Sequence, residues 1–128
     1  MPIGAFPLTV AVVDDDPKIR QLLQEEIEYE GHHVLSFESA EAFLDDFQKQ
    51  KVDLVLLDLM MPGMDGLQCL QKLHSQPISG SLPRVIVVSA LNDSNKQSEV
   101  FKAGADGYVV KPDIFEKLPS LLSGSNPQ

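Results

Sequence analysis

The chain has 128 residues, a formal net charge of −9 and one cysteine, and these totals exclude several classes of protein. A chain of this length can bury one continuous core, and its composition of 43% hydrophobic and 23% charged residues is typical of a soluble globular domain. The negative charge disfavours direct binding to nucleic acid, because binding to phosphates requires a basic face. The single cysteine, Cys69, excludes an internal disulfide and is typical of a reducing, cytoplasmic compartment.

The ends of the chain and the lengths of its apolar runs bear on targeting and domain organisation. Residues 1–7 lack the basic segment of a signal peptide, and we interpret them as a short N-terminal extension. No apolar run approaches the roughly 20 residues that span a bilayer, so no membrane association is expected. One domain is predicted over residues 8–123, and residues 124–128 are predicted to be a flexible tail or the start of a linker.

Short apolar runs rich in valine and leucine predict five strands. Runs this continuous are typical of parallel sheets, in which helices cover both faces of the sheet. The predicted strands occupy residues 8–13, 34–37, 52–57, 85–88 and 108–110.

Segments of helical period alternate with these strands. The first predicted helix begins behind Asp16 as its N-cap and ends at Gly31, which suits a left-handed C-cap. The second begins at Ser39, the third near Asp65 and the fourth around Asp93. Strand–helix alternation repeated five times predicts right-handed crossovers and a doubly wound, open α/β sheet.

The fifth helix is predicted from the apolar stripe of Ile114, Leu118, Leu121 and Leu122, but it contains Pro119. A proline inside a helix costs about 3 kcal/mol or more, and it also disfavours helical geometry at the preceding residue. We therefore expect this helix to be short, broken, or restarted with Pro119 in its first turn.

The carboxyl ends of the predicted strands carry polar residues. Functional groups in an open α/β sheet gather just beyond these ends. Four of the five strands deliver an ionisable or hydroxyl group there, namely Asp14, Asp58, Ser89 and Lys111. The sequence therefore predicts one functional site along this edge of the sheet.

Clustered carboxylates at this edge predict a bound cation. Two carboxylates about 4 Å apart repel each other by roughly 4 kcal/mol at an effective dielectric constant of about 20. The single charge of Lys111 cannot neutralise Asp14, Asp15 and Asp58 together. Their oxygen ligands favour Mg²⁺, or Mn²⁺, and such an ion would neutralise an incoming phosphoryl group while Asp58 attacks it. Ser89 and Lys111 can bind the remaining phosphoryl oxygens.

Four motifs resemble those of response-regulator receiver domains, the phosphorylatable domains of bacterial two-component signalling. They are VVDDDPKIR at 12–20, LLDLMMPGMDG at 56–66, SA at 89–90 and AGADGYVVKP at 103–112. All are in order and at family-like spacing, and the likeness covers residues 8–117. It implies the flavodoxin-like receiver fold of chemotaxis regulators, a five-stranded parallel sheet in the order 2-1-3-4-5.

The resemblance also implies the ligands of a magnesium site. Asp58 would be the phosphoacceptor, and Asp58 and Asp15 would bind Mg²⁺ directly. Asp14 would act through water, and the backbone carbonyl of Met60 would be a further ligand.

Two switch residues and a phosphate-binding residue follow from the same resemblance. Ser89 would be the switch hydroxyl, Tyr108 the switch aromatic and Lys111 the phosphate-binding lysine. The peptide bond between Lys111 and Pro112 would be cis. The phosphoryl donor would be a histidine kinase or a histidine phosphotransfer protein. The output would pass through a surface formed by the fourth and fifth helices. Pro119 puts homodimerisation through that surface in doubt.

Two alternatives compete with this interpretation. The first is an enzyme, a phosphatase of the haloacid-dehalogenase type with Asp14 as its nucleophile, although the chain lacks room for a cap domain. The second is a pseudo-receiver that binds partners without being phosphorylated. Taken singly, each residue also has an ordinary explanation: Asp58 as a turn residue, Ser89 as a small strand end, Lys111 as a surface charge and Tyr108 as core packing.

Overall fold

The computed structural model describes residues 7–76 and 82–124, which form a parallel sheet with helices on both faces. The elements are β1 Thr9–Val13, α1 Pro17–Tyr29, β2 His33–Phe37, α2 Ala40–Asp46, β3 Leu54–Asp58, α3 Gly66–Ser75, β4 Arg84–Ser89, α4 Ser94–Lys102, β5 Gly107–Val110 and α5 Ile114–Leu122. Apart from Pro7 and Gly124, the predicted extension and tail lie outside the described residues.

The strand order of the sheet is β2-β1-β3-β4-β5, and every neighbouring pair is parallel. The predicted fold is therefore confirmed. Val13, the last residue of β1, lies opposite Leu57 of β3 and Phe37 of β2. This register brings the carboxyl ends of β1 and β3 side by side, and those ends carry the predicted acids.

Two hydrophobic cores cover the two faces of the sheet. Successive side chains of a strand point to opposite faces, so Ala11 and Val13 of β1 join one core while Val10 and Val12 join the other. Helices α2, α3 and α4 cover the first core, and α1 and α5 cover the second. Because both faces are covered, the ends of the strands are left to bind ligands.

The helix boundaries follow from capping residues, as the sequence predicts. Each of four helices begins behind an acid or a serine whose side chain accepts a backbone N–H of the first turn. These caps are Asp16, Ser39, Asp65 and Asp93. Gly31, beyond the end of α1, has a φ of 92°, which is the left-handed geometry expected of a glycine after a helix.

Helix α5 is short, with nine residues over Ile114–Leu122, but it is continuous, so neither the expected break nor a restart at Pro119 occurs. Its buried side chains are Ile114, Leu118, Leu121 and Leu122. Burying one such side chain contributes about 1.5–3 kcal/mol, so four of them outweigh the cost of about 3 kcal/mol of an interior proline. Pro119 and Phe115, whose carbonyl lacks its usual helical donor because proline has no N–H, are both exposed residues. The reason for doubting homodimerisation through α5 therefore no longer applies.

The expected cis bond before Pro112 is also wrong, since this peptide bond is trans. Pro112 lies in a 3₁₀ turn, Lys111–Asp113, that leads directly into α5. Proline suits the first positions of a helical turn, and trans is the favoured isomer by about 0.5–1 kcal/mol.

Within the described residues, none of the helices combines the length and apolarity that crossing a membrane requires.

Candidate functional site

The predicted residues do meet at one edge of the sheet. Asp14 follows β1, Asp58 ends β3, Ser89 ends β4 and Lys111 follows β5. Three of these side chains are buried despite their polarity, with exposed fractions of 3% for Asp14, 2% for Asp58 and 0% for Ser89. A buried carboxylate is costly unless it is compensated, so the contacts of these two acids decide what the site can do.

Asp14 is fixed in place by three hydrogen bonds. Its backbone N–H donates to the carbonyl of Phe37 at 3.1 Å, and its Oδ1 accepts the N–H of Asp16 at 2.9 Å. The guanidinium of Arg20 donates to the backbone carbonyl of Asp14 at 2.6 Å. No role was predicted for Arg20 from the sequence. Arg20 lies in the first turn of α1, where the helix dipole disfavours a cation. A cation at this position could have indicated a specific hydrogen-bond partner.

Lys111 lies between the two buried acids. Its Nζ is 3.0 Å from Oδ2 of Asp14 and 3.4 Å from Oδ2 of Asp58. Burial lowers the pKa of Lys111, but the hydrogen bond to Asp14 and the charges of Asp58 and Asp14 outweigh burial, so the pKa is raised overall. One ammonium between two carboxylates still leaves the site one charge short of neutrality.

Asp58 is the least compensated of the acids. Its Oδ1 accepts the N–H of Met60 at a long 3.4 Å, and its Oδ2 is buried without a hydrogen bond to any described residue. Burial and then the charge of Asp14 raise the pKa of Asp58 to about 6, against the opposing effect of Lys111. The site therefore favours a further positive charge beside Asp58.

The carboxylates of Asp14, Asp15 and Asp58 fit a hard divalent cation. Each offers one oxygen, and the three oxygens all lie within 4.8 Å of one another. Asp15 is exposed, so the cluster opens to solvent, which suits an ion that retains water ligands. The unsatisfied oxygen of Asp58 and the net negative charge both favour such an ion.

Gly66 supports the site from the side of α3. Its N–H donates to the carbonyl of Leu59 at 2.9 Å. A β-carbon at Gly66 would lie 2.6 Å from the backbone oxygen of Asp58 and 2.8 Å from Cα of Leu59. Only glycine allows the N-terminus of α3 to approach Asp58 this closely, a role that the sequence analysis did not assign.

Gly66→Ala should destabilise the protein by about 1–3 kcal/mol, the usual cost of inserting a methyl group into a tightly packed position. Helix propensity alone predicts the opposite sign, a gain of about 1 kcal/mol for alanine over glycine. Urea unfolding measures the difference, with Gln71→Ala on the exposed side of α3 as the control. A stabilised Gly66→Ala variant would show that the close approach is not required.

Ser89 and Tyr108 both hydrogen-bond to the backbone of Leu91. The hydroxyl of Ser89 accepts the N–H of Leu91 at 3.0 Å, and the hydroxyl of Tyr108 donates to its carbonyl at 2.6 Å. Tyr108 itself is half-buried against the core below α4. A movement of Ser89 would therefore disturb the same short loop that holds Tyr108.

Comparisons with known proteins agree with this architecture. The family model described as the response regulator receiver domain matches residues 10–123. Response regulator RR06 of Streptococcus pneumoniae is 36% identical over 82% of this chain and 46% of its own length. Transcriptional regulatory protein AruR of Pseudomonas aeruginosa is 42% identical over 80% of this chain and 43% of its own length. The chain thus spans less than half the length of these two relatives.

Solved structures resemble the chain over nearly its whole length. The receiver domain of Francisella response regulator 1452 has a TM-score of 0.82 and 30% sequence identity, covering 91% of this chain and 93% of that one. Chemotaxis response regulator CheY4 of Vibrio cholerae has a TM-score of 0.83 and 25% identity, covering 92% of this chain and 98% of that one.

Proposed function

Since the chain belongs to the response regulator receiver domain family, we propose that it is a phosphorelay switch whose phosphoacceptor is Asp58. The single observation that carries this proposal is the buried Oδ2 of Asp58, which accepts no hydrogen bond from a described residue at the centre of an acidic cluster. Beside this oxygen lies only the ammonium of Lys111, at 3.4 Å. Such a weakly compensated carboxylate can bind a cation through one oxygen and attack a phosphorus atom through the other.

Asp14 is a poorer nucleophile than Asp58. One of its carboxylate oxygens accepts the N–H of Asp16 at 2.9 Å, and the other is 3.0 Å from the ammonium of Lys111. The two oxygens of Asp58 have longer contacts, 3.4 Å to the N–H of Met60 and 3.4 Å to the same ammonium, so attack through Asp58 disturbs weaker contacts. This difference argues against the phosphatase alternative, in which Asp14 would carry the phosphoryl group.

The reaction transfers a phosphoryl group from a phosphohistidine, in a sensor kinase or a histidine phosphotransfer protein, to this carboxylate. A carboxylate oxygen of Asp58 forms the new P–O bond as the P–N bond of the phosphohistidine breaks, and the electron pair of that bond returns to the imidazole. Lys111 and the hydroxyl of Ser89 bind the other phosphoryl oxygens. Hydrolysis of the acyl phosphate resets the switch, so the domain has no separate substrate to turn over.

Magnesium would be held by Asp15 and Asp58 directly, by Asp14 through water and by the backbone carbonyl of Met60. When bound, it supplies positive charge that neutralises the phosphoryl oxygens. Mn²⁺ has similar preferences for oxygen ligands and could replace it.

The signal leaves the site through Leu91. When the hydroxyl of Ser89 turns to the phosphoryl group, it releases the N–H of Leu91, and the loop that accepts the hydroxyl of Tyr108 is freed to move. Tyr108 can then change position beneath α4, which carries the half-exposed Phe101. The resulting change in the surface of α4, β5 and α5 would alter which effector binds. The net charge of −9 favours a protein partner over direct contact with nucleic acid.

Adding Mg²⁺ should raise the melting temperature of the protein, because the ion binds only the assembled acidic cluster. At a free concentration ten times its dissociation constant, the ion would stabilise the fold by about 1.4 kcal/mol. Differential scanning calorimetry at several Mg²⁺ concentrations measures the effect, and Asp15→Asn should diminish it. A melting temperature independent of Mg²⁺ would favour the pseudo-receiver alternative.

A further inference from the structure

Glu41 connects α2 to the loop that follows the phosphoacceptor strand. It lies in the first turn of α2, and its Oε2 accepts the N–H of Met64 at 3.3 Å. The same oxygen lies 3.1 Å from the position that a β-carbon of Gly63 would occupy. Gly63 has a φ of +74°, so this residue both turns the loop and leaves space for the carboxylate.

The loop is held at its two ends by its own residues. At one end, the N–H of Met60 donates to Asp58 at 3.4 Å. At the other end, Asp65 and Gln68 form a capping box with bonds of 2.9 and 3.0 Å. Within residues 7–76 and 82–124, Glu41 is the one side chain from another element that hydrogen-bonds to residues 61–64. The side chains of Met61 and Met64 pack against the first core, and Glu41 adds this hydrogen bond to the backbone of the loop.

Glu41 is well placed to act as an anchor. A carboxylate in the first turn of a helix, such as that of Glu41, is stabilised by the helix dipole. The loop carries Met60, whose backbone carbonyl is a proposed magnesium ligand, only four residues before Met64.

We propose that Glu41 is a positioning residue that fixes the β3–α3 loop and so aligns the Met60 carbonyl for the metal. This proposal rests on the proposed function, because it requires the magnesium site to exist. Glu41 acts through the backbone and does not touch the ion. Its effect should therefore depend on an acceptor oxygen at this position and not on the negative charge.

Three variants test whether the acceptor oxygen of Glu41 or its negative charge is responsible for the effect on the metal site. Glu41→Ala removes the acceptor, Glu41→Gln keeps an acceptor oxygen without the charge, and Glu38→Ala removes a nearby exposed acid as the matched control. Isothermal titration with MgCl₂, without a phosphodonor, gives the dissociation constant of each variant. NMR spectra of the metal-free proteins report the amide proton of Met64, which should move upfield only in Glu41→Ala.

Glu41→Ala should raise the magnesium dissociation constant about fivefold, the effect of losing one hydrogen bond. Glu41→Gln and Glu38→Ala should stay within about twofold of the wild type. The proposal is overturned if Glu41→Ala binds Mg²⁺ as the wild type does, even with a lower melting temperature, or if Glu41→Gln is as weak as Glu41→Ala. If the wild type itself binds no Mg²⁺, the proposed function fails as well, and this outcome is distinct from the first two.

Discussion

Asp58→Asn will abolish the uptake of a phosphoryl group from acetyl phosphate, while the wild-type protein gains the mass of one such group in the presence of Mg²⁺. An amide oxygen is a far weaker nucleophile than a carboxylate, so the substitution removes the reacting group while keeping its shape. Intact-protein mass spectrometry measures the gain directly. Leaving out Mg²⁺ should reduce the gain in the wild type, because the phosphoryl charge is then not neutralised.

Asp16→Asn is the matched control for this experiment. Asp16 belongs to the same run of acids, but its side chain accepts the N–H of Lys18 as the N-cap of α1, and asparagine can do the same. The control should therefore be labelled like the wild type. Labelling of Asp58→Asn at the wild-type level would mean that another residue accepts the phosphoryl group.

Without metal, the same Asp58→Asn substitution should stabilise the fold at neutral pH. The pKa of Asp58 is raised from 3.8 to about 6 by burial and by the charge of Asp14, so its ionised form is disfavoured in the folded protein. This difference corresponds to about 2–3 kcal/mol of stability lost by the wild type once Asp58 is ionised. Asparagine carries no charge and avoids that cost.

The stabilisation of the fold by Asp58→Asn should increase as the pH rises. Between about pH 4 and pH 6, the folded wild type holds a proton that the unfolded chain has lost, so its stability falls as pH rises through this window. The advantage of Asp58→Asn should thus be absent below pH 4 and reach its full size above pH 6. Urea unfolding in EDTA at pH 4, 5, 6 and 7.5 tests this, and an advantage of equal size at every pH would contradict it.

Local sequence patterns predicted most of the fold. The apolar runs located all the strands within a few residues, because a strand covered on both faces must be apolar throughout. Asp16, Ser39, Asp65 and Asp93 marked the helix starts, because an N-cap satisfies backbone groups through a contact within one turn. The acids, serine and lysine at the strand ends could be grouped because parallel strands all end at the same edge.

Two predictions about the fold were wrong, and both concerned a proline. The effect of a proline on the backbone depends on tertiary packing. The break expected at Pro119 did not occur, since the buried side of α5 contributes more stability than an interior proline costs. The cis bond expected before Pro112 came from family resemblance, whereas the 3₁₀ turn at the start of α5 holds a trans bond.

Contacts between distant residues could not be predicted from periodicity. Glu41 and Met64 are 23 residues apart, and Tyr108 and Leu91 are 17 apart. Neither pair follows a helical or strand repeat, and each joins a side chain to a backbone group that carries no sequence signal. Gly66 was visible only as the last residue of the motif at 56–66, because its close approach to Asp58 depends on how α3 packs against β3.

Mapping the phosphorylated residue shows whether Asp58 is the phosphoacceptor. The protein is incubated with acetyl phosphate and Mg²⁺, the acyl phosphate is trapped with borohydride, and the modified peptide is sequenced by mass spectrometry. Reduction converts the phosphorylated aspartate to homoserine, and we predict this residue at position 58. Homoserine at Asp14, or at no aspartate in a protein that binds Mg²⁺, would rule out Asp58 as the phosphoacceptor.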